Sequence, residues 1–206
     1  MKIALLGASG RVGSIIMENA LRDGHSVKAV VRDISKINIT HASLTLLEGN
    51  VLEESAVNAC LHNCDAVISA LGTDKNNVLS KSMPLILRSM RKNNISRIIT
   101  IGTAGILQSR EPPALYRFQT SESKRKSTTA AEDHLRTYLM LKSSNLSWTI
   151  VCPTYLPVGE RFGKFRTEKE VLPEDGKSIS IFDTADFVYS IIQNEKSFHS
   201  RIGISY

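Results

Sequence analysis

Cysteine is scarce in this chain: three among 206 residues, Cys60, Cys64 and Cys152. So small and odd a number argues against a disulfide framework and for thiols kept reduced. Cys60 and Cys64 stand four apart with Leu61, His62 and Asn63 between them, and no second ligand pair follows. No metal is therefore expected. Long apolar runs are missing too. None approaches the roughly 18 residues of a membrane span, so no membrane association is expected. The N-terminus enters a strand at once without a signal-peptide pattern, which reads as cytoplasmic. Repeats, linkers and low-complexity tracts are absent, and the length suits one domain with a substantial core. The net charge is +6, but the basic residues are dispersed apart from Lys124-Arg125-Lys126. No basic stripe with interleaved aromatics occurs, so nucleic acid is not expected, and the charge suits an anionic cofactor and substrate instead.

What is present is concentrated in the first thirteen residues. Ile3-Ala4-Leu5-Leu6 is an apolar run of strand length. It leads into Gly7-Ala8-Ser9-Gly10-Arg11-Val12-Gly13. Val12, Ile15, Ile16, Asn19 and Ala20 then recur at helical spacing, and Arg22-Asp23-Gly24 provides the stop. The pattern predicts strand, glycine turn, helix. Gly7 permits a positive φ in the turn, Gly10 lets a diphosphate approach the backbone, and Gly13 lets helix and strand pack closely. The free N–H groups at the helix start and the positive end of its dipole would hold the phosphates. The spacing is G-x-x-G-x-x-G rather than G-x-G-x-x-G.

Further along, residues 26–31 read as a second strand ending at Arg32. An acidic residue there would accept a ribose 2′-OH, whereas an Arg suits a 2′-phosphate. Asp33 falls one residue late. With Arg11 as a second positive charge able to clamp phosphate, NADP(H) is favoured, NAD remaining possible. Leu44 to Leu47 form a third strand, after which Asn50 and Val51 face the ligand crevice. Helix 53–62 follows, then the nearly continuous apolar strand Asp65 to Leu71, as expected of a strand buried on both faces. A helix over 77–93 contains Pro84, which either kinks it or starts a second helix. The strand Arg97 to Ile101 opens into Gly102-Thr103-Ala104-Gly105. Residues 106–127 form a long loop placed as a lid over the substrate side. A helix from Ala130 to Ser143 and a strand from Leu146 to Cys152 follow. The latter ends at Pro153-Thr154-Tyr155-Leu156-Pro157. Residues 158–177 read as loop, Ser178 to Ile181 as a short strand, Asp183 as the cap of a helix running to Asn194, and 201–205 as a last strand. The order predicts an α/β fold: a single Rossmann-like doubly wound parallel sheet with helices on both faces. Residues 1–206 form one nucleotide-binding domain, with a small substrate-side portion from about residue 153.

Several stretches line up together: Gly7 to Gly13, Val31-Arg32-Asp33, Gly49-Asn50-Val51, Asp65 to Ile68 with Leu71-Gly72-Thr73, Leu146 to Val151 with Pro153, and Ile179 to Ile181 with Asp183 to Phe187. The set resembles the atypical short-chain dehydrogenase/reductase proteins of the NAD(P)H-binding type, over nearly the whole chain. Among these it is most similar to NADH-flavin reductases and biliverdin-IX-beta/flavin reductases. The resemblance implies a Rossmann fold with NAD(P)H across the strand C-termini. It implies Gly7, Ser9, Arg11 and Val12 on the pyrophosphate and Arg32 on the adenosine phosphate. It further implies Asn50 and Val51 on adenine, Leu71 and Gly72 toward the ribose, and Pro153, Thr154, Tyr155 and Leu156 toward the nicotinamide. Asn50 replaces an Asp common in the family.

Tyr138 and Lys142 carry the Tyr-x-x-x-Lys spacing of the family's proton-passing pair, but they lie too late in the chain and are expected to be a surface coincidence. The resemblance places a serine after the fifth strand and a histidine after the sixth in the biliverdin/flavin reductases; Ala104 and Tyr155 stand there in this chain. Thr103, beside Ala104, and Tyr155 are the catalytic candidates, Thr103 also touching cofactor. A flavin needs little more than face-to-face positioning for hydride transfer. The leading expectation is thus an NAD(P)H-dependent reductase of a flavin or quinone-like aromatic substrate, monomeric or weakly dimeric. The alternatives are a non-catalytic nicotinamide-nucleotide sensor and an epimerase or dehydratase that would need Tyr138 as proton shuttle.

Overall fold

The computed structural model describes residues 1–73, 76–123 and 127–206. Within them eight strands form one sheet: β1 (Lys2–Leu6), β2 (Ser26–Val31), β3 (Leu44–Glu48), β4 (Ala66–Ser69), β5 (Arg97–Ile101), β6 (Ser147–Pro153), β7 (Arg166–Lys169) and β8 (Ser200–Ser205). Their order is β3-β2-β1-β4-β5-β6-β8-β7. Every pairing is parallel except β7 with β8. Among the described residues five α-helices accompany them: α1 (Arg11–Arg22), α2 (Glu54–Leu61), α3 (Val78–Lys92), α4 (Thr129–Lys142) and α5 (Ile181–Ser190). The doubly wound Rossmann-like α/β arrangement is the one expected. The chain leaves β1 toward β2 and β3, then crosses to β4 on the other side, so the switch point lies between β1 and β4.

Strand β1 shows why its apolar run is continuous. Successive side chains point to opposite faces of a strand. Ile3 and Leu5 join one core with α1 and α5, while Ala4 and Leu6 join the other with α2, α3 and α4. Both faces are covered, so no position calls for a polar residue. At the end of β1 the chain turns through Gly7, whose φ is +89°. A Cβ there would sit 2.7 Å from the Ala70 carbonyl oxygen. One turn into α1, a Cβ at Gly13 would overlap the Gly7 carbonyl oxygen. Helix and strand therefore meet backbone to backbone.

Four expectations need correction. Pro84 does not start a second helix: α3 is one element from Val78 to Lys92. The turn before the proline is anchored from outside, because the buried Asp133 of α4 accepts hydrogen bonds from the Leu79 and Ser80 amides (3.2 and 3.1 Å) and from the Ser80 hydroxyl. Ser178 to Ile181 is not a strand; Ser178 makes a single bridge to Tyr155. The strand lies instead at Arg166–Lys169, inside the presumed loop. It is an edge strand of Arg-Thr-Glu-Lys, mostly exposed, so it carries no apolar alternation to signal it. Asp183 does not cap α5. Ser180 does, its hydroxyl accepting the Asp183 amide at 3.1 Å, and the helix ends at Ser190. Tyr138 is not on the surface: it is 5% exposed, edge-on to Trp148, with the Arg201 guanidinium 4.4 Å from its ring centre. Burial raises its pKa.

The long connection after β5 is organised by one carboxylate. Within its described part are 3-10 turns at Ala104–Ile106 and Arg117–Gln119 and a bridge from Gln108 to Tyr116. Glu122 accepts from the Ser109 hydroxyl, the Arg110 amide at 2.7 Å and the Arg117 guanidinium at 2.7 Å. Lys124-Arg125-Lys126 lie outside the described residues.

Two outcomes are expected. Gly13→Ala should lower stability by about 1–3 kcal/mol, the range for overpacking, because backbone must move to admit the methyl. An unchanged urea midpoint would contradict the close contact. For Glu122, burial raises the pKa, but the bonds from Ser109, Arg117, Arg110 and Glu111 outweigh it and lower the pKa to about 2 from an ordinary 4.5. A depressed folded pKa contributes stability that is complete above 4.5 and is lost as pH falls through about 2. Urea midpoints measured across that window should fall in the native protein and fall less steeply in Glu122→Gln.

Candidate functional site

Two cavities of similar size open at the C-terminal edge of the sheet. The first, about 510 Å³, lies at the ends of β1, β2, β3 and β4. Of the residues expected to hold a dinucleotide, Gly7, Ser9, Gly10, Arg32, Asn50, Val51, Leu71 and Gly72 line it. Lys36 and Asn76 line it as well, and neither was singled out from the sequence. Lys36 ends a 3-10 turn at Ile34–Lys36 that hydrophobic patterning does not reveal. The second cavity, about 520 Å³, lies at the ends of β5 and β6. Thr103, Pro153, Thr154 and Tyr155 line it, with Phe118 and Arg117 from the long connection.

The remaining candidates, Arg11, Val12, Gly13 and Leu156, line neither cavity among the described residues. Arg11 to Gly13 form the first turn of α1. The first amide to bond back is that of Ser14, to the Gly10 carbonyl at 3.0 Å. The amides of Arg11, Val12 and Gly13 precede it and have no carbonyl a turn earlier in the helix. Val12 packs in the core at 8% exposure. The Arg11 guanidinium donates to the Leu156 carbonyl at 3.1 Å, tying the glycine turn to the segment after β6. Open amides, the N-terminal dipole and the cations Arg32 and Lys36 in the cavity together fit a diphosphate-bearing nucleotide. Asn50 uses its side-chain oxygen to accept the Leu52 amide at 3.0 Å, which leaves its NH₂ as the group able to reach a base.

The second cavity is built differently. Thr103 stands just past β5 and its hydroxyl oxygen accepts the Gly105 amide at 3.4 Å, so its proton is free to be donated elsewhere. Tyr155 is 67% exposed, and among the described residues its ring meets no other ring. The Thr154 hydroxyl donates to the Lys177 carbonyl at 3.0 Å, closing the wall formed by residues 175–177. The carboxylate Glu122 is committed to the loop, as described. Tyr138 and Lys142 line neither cavity. Lys142 stands over the Tyr138 ring, its Nζ 5.9 Å from the ring centre. No histidine lines either cavity among the described residues.

Comparison with known proteins agrees with this geometry. The chain is 26% identical over 197 residues to the uncharacterized protein YwnB of Bacillus subtilis, covering 93% of this chain and 91% of that one. A solved structure from Bacteroides thetaiotaomicron named a "putative epimerase" superposes with a TM-score of 0.87 at 28% identity, covering 100% of this chain and 96% of the other. One from Streptococcus pneumoniae named a "putative NADH-flavin reductase" gives a TM-score of 0.83 at 25% identity, covering 100% and 99%. The model of the NAD(P)H-binding family matches residues 7–195, from the glycine turn to just past α5. With the glycine turn, the cationic first cavity and the 3-2-1-4-5-6 strand order all in place, the chain belongs to the NAD(P)H-binding family.

Proposed function

We propose that this protein is an NAD(P)H-dependent reductase that delivers hydride to a flavin or a similar planar aromatic acceptor. The observation that carries the reading is the second cavity. It is flanked by the aromatic side chains of Phe118 and Tyr155, and among the described residues neither a histidine nor the Tyr138–Lys142 pair lines it. Two aromatic side chains at its wall suit such a site to holding a flat ring. The similarity to the pneumococcal protein named as an NADH-flavin reductase points the same way.

Within this reading the whole chain, 1–206, is one nucleotide-binding domain, and the portion from about residue 153 forms its acceptor side. Gly7, Ser9, Gly10 and the open amides of Arg11, Val12 and Gly13 grip the diphosphate. Asn50 and Val51 hold adenine, Arg32 reads the 2′-phosphate of NADP(H), and Leu71 and Gly72 border the ribose. Thr103, Pro153, Thr154 and Leu156 orient the nicotinamide end. A bound nicotinamide supplies the hydride. Tyr155 stacks on the acceptor and Thr103 donates a hydrogen bond to it, while the proton for a flavin comes from water. Positioning is the main catalytic contribution, since a well-aligned pair of reactants gains several kcal/mol. The protein acts in the cytoplasm as a monomer or weak dimer. The epimerase alternative loses its proton shuttle, because Tyr138 is buried beneath Arg201.

NADPH consumption should be measured with FMN, FAD, quinones and biliverdin. Turnover is expected with flavins or quinones. Tyr155→Ala should lower kcat/KM for the acceptor about tenfold, the value of a lost ring contact, while Tyr155→Phe stays within about twofold. Thr103→Val should cost roughly three- to tenfold, as for one hydrogen bond. Nucleotide binding that discriminates oxidised from reduced cofactor, without turnover of any acceptor, would replace this reading by a redox sensor.

A further inference from the structure

Asp133 is a buried carboxylate that stands apart from both cavities. Its side chain is 1% exposed, and among the described residues it lines neither cavity. It belongs to α4 yet caps another helix. The Leu79 and Ser80 amides, in the opening turn of α3, donate to its two oxygens at 3.2 and 3.1 Å. The residue placed to cap α3 from its own chain is Asn77, which is left-handed at φ +55° and makes no side-chain cap bond. Its side-chain oxygen accepts instead from the Arg136 guanidinium at 2.8 Å, and that guanidinium lies 3.6 Å from the Asp133 carboxylate. The start of α3 is therefore held from α4.

Each of these helix starts borders a different cavity. Asn76 and Val78, where α3 begins, line the first. Thr128, Ala130 and Ala131, where α4 begins, line the second. Thr128 makes no side-chain cap bond and gives its hydroxyl to the Glu132 carboxylate at 2.6 Å. The first amides of α4 thus have neither a carbonyl a turn earlier nor a cap from Thr128. A flat ring packed against Ala130 and Ala131 would order this turn, and Asp133 opens the next. Ordering α4 also steadies its cap on α3, so a second ligand meets a wall already ordered by the first.

We propose that Asp133 is a positioning residue through which the two cavities bind cooperatively. A planar aromatic ligand in the second tightens a nicotinamide nucleotide in the first, and the reverse. This coupling rests on the nucleotide and acceptor reading above and adds the link between the two sites. Linkage makes the two factors equal. Asp133 acts through the Leu79 and Ser80 amides and not by touching either ligand.

The test uses two oxidised ligands that do not react with each other: NADP⁺, and lumiflavin, a flavin ring without its side chain. In calorimetric titration of the full chain, saturating lumiflavin should tighten NADP⁺ about five- to tenfold, and saturating NADP⁺ should tighten lumiflavin by the same factor. Lumiflavin alone should slow hydrogen exchange at the Leu79 and Ser80 amides. Asp133→Asn turns an NH₂ group toward one of those donors, so the coupling should fall below twofold while each ligand still binds singly. Arg136→Gln, at an exposed side chain, should reduce the coupling partway and decides the matter if Asp133→Asn does not fold. A merely structural Asp133 would lower the thermal midpoint and both affinities with the coupling factor intact. Coupling retained in Asp133→Asn, native protein that binds the two ligands independently, or exchange at the two amides unmoved by lumiflavin overturns this inference and leaves the reductase reading standing. Native protein that binds NADP⁺ but not lumiflavin removes the acceptor reading together with the coupling, and protein that binds neither removes the nucleotide reading as well.

Discussion

Three stretches of main chain converge where β1 hands over to α1, and the site depends on how closely they approach. Gly7 adopts a left-handed φ with the Ala70 carbonyl directly above it, and Gly13 rests on the Gly7 carbonyl. Any side chain at either position would push α1 or β4 outward. Close contact does two things at once. It aims the unpaired amides of the first helical turn at the switch point between β1 and β4, and it keeps that point free of side chains. A helix start is then available as an anion site, with the cationic cavity beside it.

The second half of the molecule solves a different problem, that of building a cavity wall from distant parts of the chain. Arg201, 5% exposed on β8, pairs with Glu170 and donates to the Ile106 carbonyl beyond β5. It also lies over the rings of Tyr116 and Tyr138. The long connection after β5 is thus fastened to the last strand, and Glu122 fastens it to itself. At the opposite end of the sheet, buried Arg97 donates to the carbonyls of Ile191 and Ile192, the C-terminal end of α5, at 2.9 Å each. Desolvation lowers its pKa to about 10, still far above neutrality. Its charge is met by carbonyl dipoles and by the Phe198 ring at 4.5 Å. A guanidinium surrounded by acceptors tolerates burial where a lone ammonium would not.

The two cavities are also mechanically joined. The first turns of α4 supply Ala130 and Ala131 to the second cavity, and Asp133, two positions further along, holds the amides that open α3. Arg136, a turn later, donates to the Asn77 side chain at 2.8 Å. The start of α3 in turn borders the first cavity through Asn76 and Val78. A shift of α4 at the second cavity would be felt at the first through these bonds. Arg11 and the Leu156 carbonyl form a second such tie.

The sequence by itself determined the sheet's parallel core, the glycine turn and the residues around the first cavity. These are encoded locally, in apolar runs of strand length, in glycine spacing and in the residues that follow each strand end. Gly7, Ser9, Gly10, Arg32, Asn50, Val51, Leu71 and Gly72 are all found by reading a few residues past a strand. Tertiary structure alone decided the rest. The edge strand Arg166–Lys169 has no apolar pattern because one side of it meets solvent, so only its pairing with β8 reveals it. Tyr138 reads as a surface residue on helical spacing, and a strand more than sixty residues later buries it under a guanidinium. Lys36 reaches the cavity through a three-residue turn set by one serine, and Phe118 reaches the other through a loop held by Glu122. Contacts between residues far apart in the chain leave no periodicity to read, since their energy is decided by what the fold brings opposite them.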